Sequence, residues 1–265
     1  MFRPFFIYLF YMFVDTHTHI YLPELSAEID QLVARANANG VRQFFLPNID
    51  SSSIDAVFKL ANQFPDQCYP MMGLHPCSVN ENYEQELATI FAAARANKIY
   101  AIGEIGMDLY WDKSFEQAQR TAFIAQIELA IELSLPIVIH CRKAFDETLA
   151  ILKAAKGPNL RGIFHCFSGS LQQAHQIIDL GFYLGIGGVL TYKNAGLAEV
   201  VKEIDLAHLV LETDSPYLSP VPFRGKPNES AYLIHVAEKL ATLKSCTLAA
   251  IAEQTTANSK KVFGI

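Results

Sequence analysis

The sequence predicts an α/β fold, a closed parallel (β/α)8 TIM barrel, on three observations. Eight short apolar runs alternate with longer helical patterns along the chain. The runs are continuously apolar, as expected for parallel strands that are buried on both faces. No Gly-x-Gly-x-x-Gly sequence opens a helix, which disfavours the competing architecture, an open doubly wound sheet.

The predicted strands begin close to the start of the chain and end near residue 214. Each apolar run is short, and several contain β-branched or aromatic residues, which are typical of strands. In chain order the runs are 13–17, 41–47, 69–75, 99–104, 136–140, 162–165, 182–188 and 208–214.

Amphipathic stretches between these runs predict the helices of the barrel. Three of them cover residues 25–40, 115–134 and 170–181. The last stretch begins with Ser170, a suitable N-cap, and ends at Gly181, a suitable C-terminal stop. The first stretch ends in the same way at Gly40.

Composition is consistent with one large domain over residues 12–265. Half of the 265 residues (51%) are hydrophobic and 18% are charged, which is ample for a large core. The net charge of −6 does not indicate a broad basic surface for duplex binding, so a nucleic-acid contact would need a local basic site. The five cysteines are odd in number and form no Cys-x-x-Cys pair, which predicts reduced thiols and a cytoplasmic location.

Residues 1–11 form a hydrophobic extension before this domain. The segment is shorter than the roughly 20 residues needed to span a bilayer, and it lacks a signal-peptide cleavage site. One interpretation is a misassigned start codon, with Met12 as the natural first residue. The alternative is a hydrophobic arm that packs on the body or on a partner. No membrane association and no obligate protein partner are expected.

Two histidines separated by one residue follow the first predicted strand. On an extended chain, the side chains of His17 and His19 point to the same side. They are either solvated imidazoles at the end of a strand or two nitrogen ligands of one metal ion. The pair alone does not decide between these readings.

The carboxyl ends of the other strands favour the metal site. These ends converge on one face of a barrel, where the active sites of such folds lie. The candidate ligands found there are His17, His19, Glu104, His140, His165 and Asp214. Because a mononuclear catalytic zinc site takes about three protein ligands, six candidates predict two ions.

The predicted division of ligands gives each ion its own set. His17, His19 and Asp214 would hold one ion, His140 and His165 the second, and Glu104 would bridge both. Two such ions would activate a water for a displacement, and Asp214 could accept its proton. Mixed imidazole and carboxylate ligands suit Zn, Mn, Fe or Co, while Mg is not excluded.

Seven motifs of the chain resemble those of the TatD family of metal-dependent hydrolases. They are DTHTH, GLHP, AIGEIGMD, IVIHCR, FHCFSGS, LETDSPYL and PFRGKPNE, and they span the chain from Met12 to its end. The stretch GIGGVLTY looks closest to the YjjV branch. The sequence departs from the family pattern at Cys141, where serine is frequent, and at Ser230, where proline is common.

This resemblance implies a TIM barrel of the amidohydrolase-like superfamily and the same six metal ligands. It also implies deoxyribonuclease activity, in some members a degradation of single strands from the 3′ end. The metal-dependent hydrolase follows from the residues, whereas the single-stranded DNA substrate follows only from the resemblance.

Further residues are candidates for substrate binding. His75 could bind a phosphate or a leaving group, or simply pack a loop. Arg142 and Arg224 (with Lys226 beside it) could each bind a phosphate, or serve as ordinary surface charges. Glu212 lies on the same side of its strand as Asp214, and we expect it to orient a ligand or a phosphate contact.

Three more residues have weaker assignments. Tyr110 and Trp111 could stack on a base, although packing under a loop is commoner. Cys166 is expected to point away from His165, as a buried structural thiol.

Two other functions remain open. One is an ester or amide hydrolase, such as an aminoacyl-tRNA deacylase, although no lysine near Glu104 could bridge the ions as a carboxylated lysine does in many such enzymes. The other is a non-catalytic metal-binding protein, which only an activity measurement would separate from an enzyme.

Overall fold

A computed structural model describes residues 11–155 and 160–265, so all but the last residue of the predicted N-terminal extension lies outside the described part. Within these residues there are eight parallel strands, one for each predicted apolar run. They are β1 (Phe13–Asp15), β2 (Val41–Pro47), β3 (Cys68–Met71), β4 (Ile102–Asp108), β5 (Ile137–Arg142), β6 (Gly162–Phe164), β7 (Tyr183–Ile186) and β8 (Leu209–Leu211).

The strands form a closed barrel in sequence order. Strands β1 to β3 pair as one group and β4 to β8 as another, all parallel. Single bridges join the two groups at both seams, Met72 with Ile102 and Thr18 with Ser215. At the second seam the Thr16 amide also donates to the carbonyl of Leu211 at 3.0 Å. The predicted TIM barrel is therefore confirmed.

Ten α-helices in the described part connect the strands and surround them. They are α1 (Pro23–Ser26), α2 (Ile29–Ala38), α3 (Ile54–Gln63), α4 (Tyr83–Ala96), α5 (Glu116–Leu133), α6 (Phe145–Ala155), α7 (Leu171–Asp179), α8 (Leu197–Glu203), α9 (Leu233–Lys244) and α10 (Leu248–Phe263). None of these helices is long and apolar enough to cross a bilayer.

The predicted helices are found within a few residues of their expected bounds. Ser170 caps α7, with its hydroxyl accepting from the Gln173 amide at 3.2 Å, and Gly181 follows with a φ of +85°. The prediction over 25–40 is interrupted, because the short α1 ends at Ser26 and α2 begins only at Ile29.

The bottom of the barrel, at the amino ends of the strands, is closed by α10. Phe263 stacks on Phe45 of β2 with ring centroids 3.6 Å apart, and Val262 joins the same buried cluster. Val14, Val138 and other strand residues complete this cluster. Because this end is filled with apolar side chains, the open face is the opposite one, where the carboxyl ends of the strands lie.

The ends of several strands differ from the predicted ones, and this matters for the site. Strands β1, β3 and β8 end earlier, so His17, His75 and Asp214 lie in the segments that follow them. Strand β4 instead continues to Asp108, which places Glu104 inside it, at an irregularity of register between Ile102 and Ile105.

Candidate metal centre

Backbone hydrogen bonds hold the two histidines after β1 in place. The His17 carbonyl accepts from the Asp214 amide at 2.9 Å, and the His19 amide donates to the Ser215 carbonyl at 2.7 Å. Both imidazoles are buried and point to the same side, with their Nε2 atoms 3.2 Å apart. The geometry agrees with the second reading of the pair, two nitrogens that face one point.

Glu104 lies at the middle of the cluster and presents its two oxygens to different histidines. Oε2 is 3.1 Å from Nε2 of His17 and 3.6 Å from Nε2 of His19. Oε1 is 2.9 Å from Nδ1 of His140 and 3.6 Å from Nε2 of His165. Burial alone would raise the pKa of Glu104, but the imidazoles, His17 first, hold it well below its usual range. The carboxylate is therefore ionised and suited to bridge two cations.

Asp214 faces the same cluster from the segment after β8. Its Oδ1 is 3.7 Å from Nε2 of His19 and 3.8 Å from Nε2 of both His17 and His165. Burial raises its pKa to about 6, with Glu104 among the groups that add to this shift. Its side chain is 14% exposed against 3% for Glu104, so Asp214 is the more accessible of the two carboxylates.

All six candidate ligands thus meet in one place. The three-residue groups whose donor atoms lie within 4.8 Å of one another are His17–His19–Glu104, His17–His165–Asp214 and His75–Glu104–His140. His165 lies between the two predicted ligand sets, because its ring stacks on that of His17 at 3.5 Å while its Nε2 is 3.6 Å from Oε1 of Glu104, the oxygen that also faces His140. His75 takes the place beside His140, with Nε2 3.3 Å from Nδ1 of His140.

Carboxylates outside the cluster face the second ring nitrogen of two candidate ligands. Nε2 of His140 donates to Oδ2 of Asp108 at 2.8 Å, and Nδ1 of His165 lies 3.1 Å from Oε1 of Glu212. Since a carboxylate only accepts, each of these nitrogens carries a proton, and the other nitrogen of each ring is the one that can bind a cation.

A tyrosine has the same effect on His19. The hydroxyl of Tyr21 donates to the Pro47 carbonyl at 2.6 Å, and its oxygen lies 3.0 Å from Nδ1 of His19. Because the hydroxyl proton is already engaged, Nδ1 of His19 must be the donor in this contact. Nε2 of His19 is then free to bind a cation on the side of Glu104.

The electrostatics of the cluster match a divalent cation. Burial, followed by the charge of His165, holds the pKa of His17 well below its usual range, so this imidazole is neutral as a ligand must be. Burial would lower the pKa of His165, but the carboxylates of Glu212, Glu104 and Asp214 together raise it to about 10. The three carboxylates thus favour positive charge at His165, whether a proton or a divalent cation supplies it.

The residues predicted to contact the substrate differ in their exposure. Arg142 and Arg224 lie in the open face, each with its guanidinium over an aromatic ring, at 3.9 Å from Tyr110 and 4.1 Å from Tyr192 respectively. Glu212 is fully buried, which rules out direct contact with a substrate and leaves the expected orienting role. His75 is partly buried, and its Nδ1 accepts from the Cys77 amide at 3.0 Å.

Cys166 differs from its predicted orientation. The strand ends at Phe164 and Cys166 has a φ of +47°, so the alternation of a strand no longer applies to it. Its sulfur lies within 4.8 Å of donor atoms of His165 and Glu212, and burial raises its pKa well above the ordinary value. The protonated thiol is thus beside the cluster, not turned away from it.

The sequence reading missed three residues that contribute to the site, namely Asp15, Tyr21 and Asp108. Asp108 could have been found, because it follows Glu104 by four residues in β4 and thus points to the same side. Asp15 is buried and accepts from the amide and hydroxyl of Thr213, at 2.9 and 2.6 Å. It therefore ties β1 to the segment that carries Asp214.

Comparison with known proteins extends over nearly the whole chain. The model of the TatD related DNase family matches residues 14–264. The uncharacterized metal-dependent hydrolase YabD of Bacillus subtilis is 40% identical over 96% of this chain and 100% of its own length. The 3′-5′ ssDNA/RNA exonuclease TatD of Klebsiella pneumoniae is 33% identical over 95% of this chain and 97% of its own.

A solved structure shows the same similarity in three dimensions. The crystal structure of the TatD homologue YjjV from Escherichia coli superimposes with a TM-score of 0.90 at 31% identity, over 96% of this chain and 98% of that one. The family suggested by the seven motifs is thus confirmed, together with its general activity. The chain belongs to the TatD family of metal-dependent hydrolases.

Proposed function

We propose that this protein hydrolyses phosphodiester bonds of single-stranded nucleic acid, removing nucleotides from the 3′ end of DNA. The observation that carries the proposal is the position of Glu104, whose two carboxylate oxygens face different histidines. One carboxylate between two sets of nitrogen donors is suited to two ions, the arrangement used to displace a phosphate oxygen.

We assign the metal ligands to the six residues that meet at Glu104. The first ion would be held by His17, His19 and Glu104, and the second by Glu104 with His140 and His165, with Asp214 facing both sets. Two divalent ions bound there would supply the Lewis acidity that activates a water and stabilises the charge of the attacked phosphate. Imidazole and carboxylate donors favour Zn or Mn, and Mg is compatible with the carboxylates.

The residues of the chain supply the remaining steps. Asp214 is ionised at neutral pH, with a pKa of about 6, and its accessible carboxylate can accept the proton of the attacking water. Arg142 and Arg224 present positive charge on the open face and can bind phosphate oxygens of the substrate. The pKa of His75 is raised because the charge and contact of Glu104, together with the contact of Cys77, outweigh the effect of burial, so His75 can donate to a phosphate or to the leaving oxygen.

The nearest alternative is hydrolysis of an ester or amide bond. In that case the same six residues would hold the ions, and the difference would lie in the substrate. Strand β4 contains Glu104 and no lysine that could bridge two ions after carboxylation, which favours the phosphodiesterase. The relative from Klebsiella pneumoniae, named as an exonuclease of ssDNA and RNA, supports a nucleic-acid substrate as well.

Cleavage of a labelled oligonucleotide tests this function. The full chain, reconstituted separately with Mg, Mn or Zn, is incubated with a 5′-labelled single-stranded DNA, beside Asp214→Asn and the control Asp179→Asn. Asp179 is an exposed acid at the end of α7. We expect a ladder that shortens from the 3′ end with the native chain and the control but not with Asp214→Asn. Equal cleavage by Asp214→Asn would indicate a contaminating nuclease, and no cleavage with any metal would contradict the proposal and make aminoacyl-tRNA the next substrate.

A further inference from the structure

Three side chains form an exposed platform beside the candidate metal centre. Tyr110 and Trp111 are 51% and 69% exposed, although both are large aromatic residues. The guanidinium carbon of Arg142, at the end of β5, lies 3.9 Å from the centroid of Tyr110 and 5.1 Å from that of Trp111. We call these three residues the aromatic shelf.

The shelf is connected to the metal centre through one carboxylate. Oδ1 of Asp108 accepts from the amides of Tyr110 and Trp111, at 2.9 and 3.3 Å. Oδ2 of the same residue accepts from Nε2 of the candidate ligand His140 at 2.8 Å. The backbone that carries both rings is therefore fixed relative to His140.

Folding does not explain the exposure of these rings. Both rings lie on the open face, away from the buried clusters that form the core of the described chain. Their mutual contact is edge-on, with centroids 4.8 Å apart and planes at 85°, so the face of one ring does not cover the face of the other. An accessible indole beside a guanidinium is suited to a flat aromatic ligand that carries negative charge.

We propose that the aromatic shelf binds a nucleobase of the single-stranded substrate, with Trp111 stacked on the base and Arg142 holding the neighbouring phosphate. This inference rests on the proposed function and specifies how its substrate is held. The guanidinium of Arg142 lies over the ring of Tyr110, and its N–H groups would bind the phosphate. Such stacking accepts any base, which suits an exonuclease that proceeds along a strand.

Fluorescence tests the shelf directly, because Trp111 is the single tryptophan of the chain. The metal-loaded full chain is titrated with a phosphorothioate oligothymidylate, which resists hydrolysis, and with an abasic oligomer of the same length and charge. We expect saturable quenching by the oligothymidylate and much weaker quenching by the abasic strand. Equal quenching by both oligomers, or none by either, would overturn the proposal.

Kinetics of two variants give an independent readout. On a DNA oligomer, Trp111→Ala should raise KM by roughly 10-fold with a much smaller change in kcat, since a stacked base contributes to binding. Trp111→Phe should recover most of this loss, which a purely structural role of the indole would not predict. Ile131→Ala, at an exposed position on the outer helix α5, is the control and should behave as the native chain.

These measurements separate the inference from the proposed function. If the chain cleaves DNA and Trp111→Ala keeps the native KM, base binding by the aromatic shelf is refuted and the proposed nuclease function is retained. If the chain cleaves no nucleic acid but its fluorescence still distinguishes the oligothymidylate from the abasic strand, the function is refuted and the shelf stands.

Discussion

Asp108 accepts a hydrogen bond from His140, with 2.8 Å between Oδ2 and Nε2. On its other side, Nδ1 of His140 faces Glu104, 2.9 Å from Oε1, so this nitrogen is the one that would bind a cation in place of a proton. Burial would raise the pKa of Asp108, but the hydrogen bond and charge of His140, together with the hydrogen bonds from the Tyr110 and Trp111 amides, outweigh it and lower this pKa to about 2. Asp108 therefore stays ionised at any working pH and keeps accepting the hydrogen bond from Nε2 of His140.

Loss of this charge should weaken metal binding. The amide of Asp108→Asn cannot keep the acceptor strength of the carboxylate, so we expect about 10- to 100-fold lower affinity for the ion near His140. Titration against a chromophoric chelator measures this affinity for each ion. Asp112→Asn, a change of an exposed acid four residues further on, is the matched control and should bind as the native chain. Equal affinity of Asp108→Asn and this control would show that Asp108 does not orient His140.

Tyr21→Phe tests the orientation of His19. Because the pKa of Tyr21 is raised well above its usual value, chiefly by burial, its hydroxyl stays protonated and donates to Pro47 throughout the working pH range. The variant removes the acceptor of Nδ1 of His19. We expect about 10-fold weaker binding of one ion and about 1 kcal/mol lower stability in its absence.

The measurements are metal titration and urea unfolding with a chelator present. Tyr83→Phe is a control on α4, since the Tyr83 hydroxyl donates a long hydrogen bond to the exposed Glu84, at 3.5 Å. If Tyr21→Phe lowers the free energy of unfolding but leaves the metal affinity unchanged, the hydroxyl stabilises the fold near Pro47 but does not orient His19.

The strand ends predicted from sequence located the candidate ligands because their order along the chain is the order around the barrel. His17, Glu104 and Asp214 are far apart in sequence, yet parallel strands bring their side chains to one face. The alternation of apolar runs and amphipathic stretches was sufficient to predict these strand ends, because both patterns can be recognised from neighbouring residues alone.

The position of His165 between the two ligand sets could not be predicted in the same way. It depends on how the rings turn, since His165 stacks on His17 at 3.5 Å and also faces the Glu104 oxygen that His140 approaches. Sequence spacing also gave the wrong direction for Cys166, because its φ of +47° ends the strand geometry on which the alternation rests. Asp108 was missed because β4 continues past the apolar run that was used to define it.

Metal binding should release a proton from His165. In the ion-free protein the nearby carboxylates raise its pKa to about 10, so at about pH 7.5 the ring is protonated and an ion must displace that proton. Calorimetry of metal binding in buffers of different ionisation enthalpy should therefore give a slope of about one proton per protein or more. In Glu212→Gln the largest charge that raises this pKa is absent. The variant should release fewer protons, and a native slope near zero would contradict the prediction.

Asp15 should make the stability of the ion-free protein fall as the pH rises. Burial raises its pKa to about 7 from 3.8, although hydrogen bonds from Thr213 partly oppose this shift. The folded state thus holds a proton that the unfolded state loses at lower pH. Its stabilising effect is complete below about pH 4 and is lost as the pH rises through about 7.

Asp15→Asn isolates this contribution, because the amide keeps the acceptor for the Thr213 amide and does not titrate. Both proteins are unfolded in urea with a chelator at several values between about pH 4 and pH 8, the range that spans the two pKa values. The free energy of unfolding of the native chain should fall relative to the variant by a few kcal/mol, a shift of one pKa unit being worth about 1.4 kcal/mol. A constant difference between the two proteins over this range would show that Asp15 is ionised in the fold at all these pH values.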